Sequence, residues 1–454
     1  LGTTGAPRST GRLGRFGIWL GGRRWQLASL GATALLGGLA WLLREGLTPR
    51  GVAGLGALCF LGLCFAASRD PRKVNPRTVL GGLGLQLVLA VMVLKTDLGQ
   101  QAFGALGAGI RRFLEFTDEG SRFVFGALAD PAAMQSAFGP GRGFVFAFRA
   151  LPTIIFVSAF FSVLYFLRVL PWVVRGMARV MRGAMRVSGA ESLSAAANVF
   201  MGQTEAPLIV KPYVERMTES ELMALMIGGF ATISGGVMAV YIDLGASAPA
   251  LLTASVMAAP AALVVAKILV PEDGQPETAG VLRVETPREA QNVLDALSHG
   301  AAEGMKLALN VAAMLIAFLA AIALLDYLLS LAGTSLAGIF GVLFAPLAFL
   351  AGAPPGDVPA VADLLGTKLV ANEFVAYLKL TGEYATSLSP RGALVATIAL
   401  CGFANLGSIG IQIGGIGGIA PGRRGDLARL GLTALYGGFL ATLLNAAVAG
   451  GLFG

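Results

Sequence analysis

Charge is scarce in this chain. Of 454 residues only 13% are Asp, Glu, Lys or Arg, against 55% hydrophobic, and mean hydropathy is +0.74. A soluble domain carries about 25% charged residues, so a water-facing globule is excluded and the chain reads as a polytopic membrane protein. Histidine is nearly absent: with His299 alone, neither a histidine-built metal site nor a histidine-based triad is expected. The three cysteines, Cys59, Cys64 and Cys401, lie in apolar runs and read as small buried hydrophobes, not as disulfides or ligands. No Walker-type phosphate loop is present, so ATP does not drive the protein directly. An S4-like arginine repeat and a channel-filter sequence are also missing. Leu1 in place of an initiator Met suggests a trimmed chain, and no cleavable signal is evident.

What remains is apolar sequence and the placement of its few charges. Runs long enough to span fall at about 26–43, 50–68, 78–95, 145–168, 221–241, 248–269, 306–328, 391–414 and 428–451, about nine crossings in all. The net charge of +8 matters less than where it sits. Residues 1–27, the Arg69-Arg72-Lys73-Arg77 loop, the stretch from Arg175 to Arg186 and the Arg423-Arg424-Arg429 loop all fall on one side under this count. That side is expected to be cytoplasmic, with the C-terminus outside an inner (plasma) membrane. Basic loops of this kind speak for topology, not for nucleic acid.

Four stretches do not span. Residues 99–117 and 171–187 have the spacing of amphipathic helices lying at the interface. Residues 271–288 read as a mobile, charged, proline-containing cytoplasmic loop, and 289–302 as a short amphipathic helix leading into the next crossing. The expected organisation is a basic N-terminal segment (1–27), N-terminal scaffold helices (28–98), a first half (99–270), the loop (271–288) and a second half (289–454).

Residues 198–214 are too interrupted for a spanning helix and too polar to face lipid. Apolar residues flank Gly202-Gln203-Thr204-Glu205, with Pro207 and Pro212 close behind. A short helix entering at about Ser192, a turn at Gly202 and a second short helix fit this stretch, giving a hairpin over about 190–214. Such an element is tolerated at membrane depth only where it lines a cavity. Residues 366–377 answer it with Asn372-Glu373, in a hairpin over about 358–382. The segment after each hairpin repeats as well: Gly229-Phe-Ala-Thr-Ile-Ser-Gly-Gly236 and Gly402-Phe-Ala-Asn-Leu-Gly-Ser-Ile-Gly410. Three crossings separate the starts of the halves, near 145 and 306, so the halves run in opposite directions. The expected fold is therefore all-α: inverted repeats, two re-entrant helical hairpins and two discontinuous transmembrane helices, the signature of a secondary transporter.

Glu205 and Glu373 lead the candidate residues, because an ionised carboxylate inside a bilayer is costly and is usually functional. The plain alternative is a helix cap, or a structural pair with Lys211 or Lys368; proton coupling is a rival use. Thr232, Ser234, Asn405 and Ser408 sit beside glycines within apolar crossings, where unwinding frees carbonyls for an ion. Close packing through small residues explains Gly235-Gly236 and Gly414-Gly415 about equally well, but explains Asn405 poorly. Gln203 and Thr204 offer donors and acceptors to a heterocycle edge. Asn198 is either a satisfied structural amide or an oxygen ligand for a hard cation. Phe403 alone reads as core. Arg149, Lys95 and Lys368 read as snorkelling or paired.

At these residues the chain closely resembles the concentrative nucleoside transporters. The matching runs are Ala197-Asn-Val-Phe-Met-Gly-Gln-Thr-Glu-Ala-Pro-Leu208, Leu252-Thr-Ala-Ser-Val-Met-Ala-Ala-Pro-Ala-Ala-Leu263, Ala371-Asn-Glu-Phe-Val-Ala-Tyr377 and Cys401-Gly-Phe-Ala-Asn405, and the likeness extends from about residue 50 to the end. The resemblance implies a homotrimer with a central scaffold and a mobile transport domain moving like an elevator. It also implies that Gln203, Thr204, Val237 and Phe403 surround a nucleobase, and that Glu205, Glu373, Asn405 and Ser408 bind its ribose. The side chains of Asn198 and Thr232, with the carbonyls of Met201 and Ile233, would hold Na+ as coupling ion. The run at 26–43 adds a crossing that minimal bacterial members lack, and Gly407 stands where the family commonly has serine, which is expected to loosen the unwound segment beside the ribose. The reading is a sodium-coupled nucleoside symporter in a lipid bilayer. A proton-coupled symporter of the same fold is one alternative. An intramembrane enzyme or ion channel using Glu205 and Glu373 is the alternative from another class.

Overall fold

The computed structural model describes residues 24–139, 145–279 and 290–453, and among these it is helical with no β-strand. The expected segment 1–27 lies outside the described residues up to residue 23, as do residues 280–288 of the expected loop. Helices α1 (Arg24–Leu42) and α2 (Pro49–Ala66) form an antiparallel pair. Thr48 caps α2 by accepting from the Gly51 N–H, and Pro49 occupies the first turn, where no helical N–H is needed. The start of α1 lies by the end of α2, since Gln26 Nε2 donates to the Ser68 carbonyl (3.3 Å). The added run at 26–43 is thus a full partner of α2. Helix α3 (Pro76–Lys95) follows, capped by Asn75.

The amphipathic helix expected at 99–117 is longer than its pattern: α4 runs Asp97–Phe125 and stops at Gly126, whose φ of 57° ends it. A short α5 (Pro131–Phe138) leads to the crossing α6 (Phe146–Phe166) and to amphipathic α7 (Val169–Met185). Then comes the first hairpin: α8 (Gly189–Ala197), a turn, α9 (Ala206–Ile209) and α10 (Lys211–Val214). The next crossing is divided into α11 (Glu219–Ala231) and α12 (Gly235–Asp243), and α13 (Ala248–Leu269) closes the first half.

The second half opens on α14 (Val293–Ser330), 38 residues without interruption. The separate amphipathic helix expected at 289–302 is therefore the first turns of this crossing. Its glycines do not break it, because they are used for close approach to α6. A Cβ on Gly300 would stand 2.6 Å from Ser162 Cβ, and one on Gly304 2.8 Å from Ile155 Cα. Short α15 (Leu336–Leu343) and α16 (Ala345–Leu350) lead to the second hairpin, α17 (Val358–Val370) and α18 (Glu373–Thr381). The eighth expected crossing, 391–414, is divided into α19 (Pro390–Leu400) and α20 (Leu406–Ile419), and α21 (Arg424–Leu452) ends the chain. Among the described residues eight helical stretches are long and apolar enough to cross a membrane; the α19–α20 pair supplies shorter apolar pieces.

Helices α11 and α13 are buried along nearly their whole length and α21 over its C-terminal half, and the first hairpin packs on α11 and α13. The segment expected as N-terminal scaffold sends α2 and α3 against α21 and α13. Helix α14 is mostly exposed, with Ile316, Leu309 and Leu324 bare, and its main partner is α6. Two basic loops share one end of the bundle: Arg69 and Arg429 both pair with Glu219, at the start of α11, and the Arg69 N–H donates to the Leu269 carbonyl (2.8 Å). At the opposite end Arg149 faces Asp118 (3.6 Å) and Asp243 (3.9 Å), and Arg50 Nε donates to the Phe453 carbonyl (3.1 Å). The end of α21 is thus remote from the basic loops. The described part of the expected mobile loop is tied down instead: Thr278 is buried, its carbonyl accepts from the Gly189 N–H (3.0 Å) and its hydroxyl from the Ala190 N–H (3.0 Å).

Candidate substrate and ion site

Both divided crossings break half-way along, and polar caps restart them. Thr232 is extended (φ −125°, ψ 166°), and Ser234 then caps α12 by accepting from the Val237 N–H (3.3 Å). Asn405 caps α20 by accepting from the Ser408 N–H (2.9 Å), and Asn372 caps α18 in the same way through the Val375 N–H (2.9 Å). The breaks meet backbone to backbone, with the Phe403 N–H donating to the Thr232 carbonyl (3.1 Å). The turn of the first hairpin docks on the same place: the Gly235 N–H donates to the Phe200 carbonyl (2.9 Å), and Glu205 Oε2 closes the turn by accepting from the Gly202 N–H (3.1 Å).

These elements enclose a cleft of about 150 Å3. All eight residues singled out from the sequence line it: Gln203, Thr204, Glu205, Val237, Glu373, Phe403, Asn405 and Ser408. Glu373 is the first residue of α18, where the helix dipole and free N–H groups favour negative charge. Its Oε1 accepts from the Tyr241 hydroxyl (3.1 Å) and its Oε2 from Asn405 Nδ2 (3.0 Å). Gln203 Nε2 donates to Ser408 Oγ (3.2 Å), joining the first hairpin to the second divided crossing. Phe403 is half-buried at the cleft wall and is not the fully buried core residue that its type suggests. The wall opposite is apolar and comes from α14, through Leu307, Val311, Met314 and Leu315.

The structural pairings weighed for the glutamates are not how the lysines are used. Lys211 is exposed. Lys368 is fully buried, donates to the Ala399 carbonyl (2.7 Å) and Thr442 Oγ1 (3.0 Å), and lies 5.5 Å from the Phe439 ring centroid. It fastens the second hairpin to α19 and α21. Gly407 is already inside the first turn of α20, so the unwound segment ends before it.

Beside the cleft lies a second polar group. Asn198 is buried, and neither its Oδ1 nor its Nδ2 has a hydrogen-bond partner. A satisfied structural amide would have one. A Cβ on Gly228 would stand 2.9 Å from Asn198 Nδ2, so the amide lies against α11 one turn before Thr232, whose hydroxyl donates to the Gly228 carbonyl (2.9 Å). Ile233 is fully buried in the break and Met201 sits in the hairpin turn. Among the described residues no group of three or more His, Cys, Asp or Glu is placed to hold a metal. An amide, a hydroxyl and carbonyls carry no net charge, which suits a monovalent hard cation better than a divalent one.

Two polar residues of this region were not singled out from the sequence. Tyr241 holds Glu373, and Gln412 bonds Gln203 and the Met226 carbonyl. Gln412 carried a legible signal, a lone amide between Ile411 and Ile413. Tyr241, an aromatic at the end of an apolar run, carried none.

Two opposed hairpins and two interrupted crossings around a polar cleft define a secondary transporter, and not an enzyme. Comparison with known proteins narrows the class. Residues 250–450 match the family described as the C-terminus of Na+ dependent nucleoside transporters, residues 55–128 match the N-terminus of the same family, and 147–248 match a nucleoside recognition family. An uncharacterized transporter of Haemophilus influenzae is 43% identical over 417 residues, covering 87% of this chain and 96% of that protein. Sodium/nucleoside cotransporter 1 of Mus musculus is 41% identical over 453 residues, covering 94% of this chain and 68% of that one. The solved structure of CNTnw in an inward-facing substrate-bound state superposes with a TM-score of 0.85 at 40% identity, over 89% of this chain and 99% of that one. A variant of CNTnw in an outward-facing state gives the same TM-score, 0.85, at 39% identity. The chain belongs to the concentrative, sodium-dependent nucleoside transporter family, and is a multi-pass membrane protein.

Proposed function

We propose that this protein carries nucleosides into the cell by symport with Na+. The observation that carries the reading is the pairing of two features: a cleft where carboxylates and amides from both halves converge, and the partnerless buried amide of Asn198 beside it. Glu205, Glu373, Asn405 and Ser408 bind the ribose, since acceptor-rich groups suit hydroxyl donors. Gln203, Thr204, Val237 and Phe403 surround the base. Asn198, Thr232 and the carbonyls of Met201 and Ile233 bind sodium. Sodium there joins the hairpin turn to the first break and so orders Gln203 and Glu205. Each ligand favours the arrangement the other needs, and the coupling is reciprocal.

The cleft has one wall on α14 and the rest on the hairpin-bearing bundle. That division supports an elevator-type movement of the bundle against a scaffold of α6 and α14, with the two halves, 99–270 and 289–454, contributing to both. The bare apolar face of α14 suits a homotrimer. The shared end of the basic loops is cytoplasmic, with the C-terminus outside the inner membrane.

The test is uptake of radiolabelled nucleosides into proteoliposomes, in sodium and in choline. Saturable uptake that rises with sodium at fixed pH is the expected result. Full uptake in choline driven by an inward proton gradient would overturn the sodium assignment. Chemical change of the recovered nucleoside would overturn symport.

A further inference from the structure

Gln412 is fully buried on α20, one turn after Ser408, and its Nε2 donates both to the Met226 carbonyl (3.0 Å) and to Gln203 Oε1 (3.2 Å). A carbonyl only accepts, so Gln412 must turn its nitrogen to this corner. Gln203 must then turn its oxygen to Gln412, because two amide nitrogens cannot bond each other. The Gln203 nitrogen is left on the other side, where one hydrogen goes to Ser408 Oγ (3.2 Å) and the second is free for the cleft that Gln203 lines. The two amides meet only because residue 229 is glycine: a Cβ there would stand 2.8 Å from Gln412 Nε2 and 2.9 Å from Gln203 Cβ. A packing role does not explain Gln412. Its Oε1 is buried without a partner, a cost that Leu or Met at the same place would avoid.

We propose that Gln412 is a positioning residue that fixes the polarity of Gln203: anchored on the Met226 carbonyl, it makes Gln203 present a hydrogen-bond donor to the nucleobase, and so selects bases that offer an acceptor at that edge. The inference rests on the proposed contact between Gln203 and the base. Without Gln412, the terminal amide of Gln203 turns over between two nearly equivalent orientations and offers donor or acceptor alike. The backbone of the first half, the hairpin and the second half are then linked in one chain that sets base preference without Gln412 touching the substrate.

The experiment measures binding of cytidine, adenosine and their ring-deaza analogues, each lacking one ring-nitrogen acceptor, to the full-length protein in nanodiscs with sodium. A site built to bond an acceptor is expected to prefer at least one parent over its analogue by about tenfold or more. Gln412→Met keeps the volume and removes the amide; it is expected to bring that ratio below about threefold while thermal stability and sodium dependence stay as in the natural protein. Gln203→Ala is expected to lose the same preference, and adding Gln412→Met to it to change nothing more. If Gln412→Met fails to fold, Gly229→Ala, which forces the amides apart, is expected to lower the same ratio. Loss of preference in Gln203→Ala but retention in Gln412→Met overturns the inference and leaves the base contact standing. Unchanged ratios in Gln203→Ala overturn the base contact itself. Equal binding of every parent and analogue by the natural protein overturns the donor polarity.

Discussion

Glu373 is bonded on both oxygens by donors, Tyr241 and Asn405. A carboxylate accepts on both sides, whereas an amide must turn its NH2 against one of those donors. Glu373→Gln is therefore expected to lose about 1–3 kcal/mol of nucleoside binding, the range for a buried group left unpaired. Calorimetry checks it, with free nucleobases remaining poor ligands. A free base binding as tightly as its nucleoside would show that the ribose contacts do not carry affinity. Asn198 makes the opposite case, since it is buried with its amide unused. Removing it takes nothing from the fold's hydrogen bonds, so Asn198→Ala is expected to fold normally and to raise the sodium concentration for half-maximal uptake by about tenfold to a hundredfold, one charge-assisted ligand being worth about 1.5–3 kcal/mol. An unchanged sodium curve would reassign Asn198 to packing.

The two hairpins are fastened differently. In the first, Glu191 of α8 pairs with Lys267 of α13, whose ammonium also donates to Ser220 Oγ (2.8 Å) and Glu272 Oε2 (3.2 Å). In the second, Asp363 of α17 pairs with Lys379 of α18 and accepts from the Tyr384 hydroxyl (2.9 Å), a tie between the hairpin's own arms. The first hairpin is thus pinned to the core by a buried ion pair. Breaking such a pair from one side leaves an uncompensated buried charge and costs about 3–5 kcal/mol. Lys267→Met is expected to lower the melting temperature in detergent markedly, and the double substitution Glu191→Gln with Lys267→Met to recover part of the loss. A double variant less stable than Lys267→Met would show that the charge of Glu191 is not what suffers. Hairpins and breaks were legible in the sequence because proline, glycine and carboxylates interrupt apolar runs. The continuity of α14 was not, because the amphipathic stretch 289–302 reads as separate from the apolar run 306–328 until the close approach of Gly300 and Gly304 to α6 is seen.

Across the molecule, the cleft joins residues of the hairpin bundle to Val311 of α14. If the bundle travels against α6 and α14, a bond between them arrests it. Ser158→Cys on α6 with Gly236→Cys on α12, where a Cβ would stand 3.8 Å from Ser158 Oγ, is expected to lose uptake on mild oxidation and regain it on reduction. The native Cys59, Cys64 and Cys401 are buried, so background from them is low. Full uptake with the cross-link quantitatively formed would rule out movement of these elements past each other. The mass of the purified protein is expected to correspond to three chains; a monomer active in transport would remove the trimer from the mechanism.

Apolar run lengths, the basic loops and the repeated polar interruptions by themselves determined the class of fold, the two hairpins and the polar candidates Gln203, Thr204, Glu205, Glu373, Asn405 and Ser408, because desolvation inside a membrane makes each polar group conspicuous; Val237 and Phe403 came only from the family resemblance. Tertiary structure alone decided which of those groups meet. Lys368 goes to Ala399 and Thr442 and not to a glutamate, Tyr241 joins Glu373, and Gln412 turns Gln203. The reason is physical: an unsatisfied group in an apolar run announces that it needs a partner, but the partner lies on another helix, and the distance between them is set only when the helices pack.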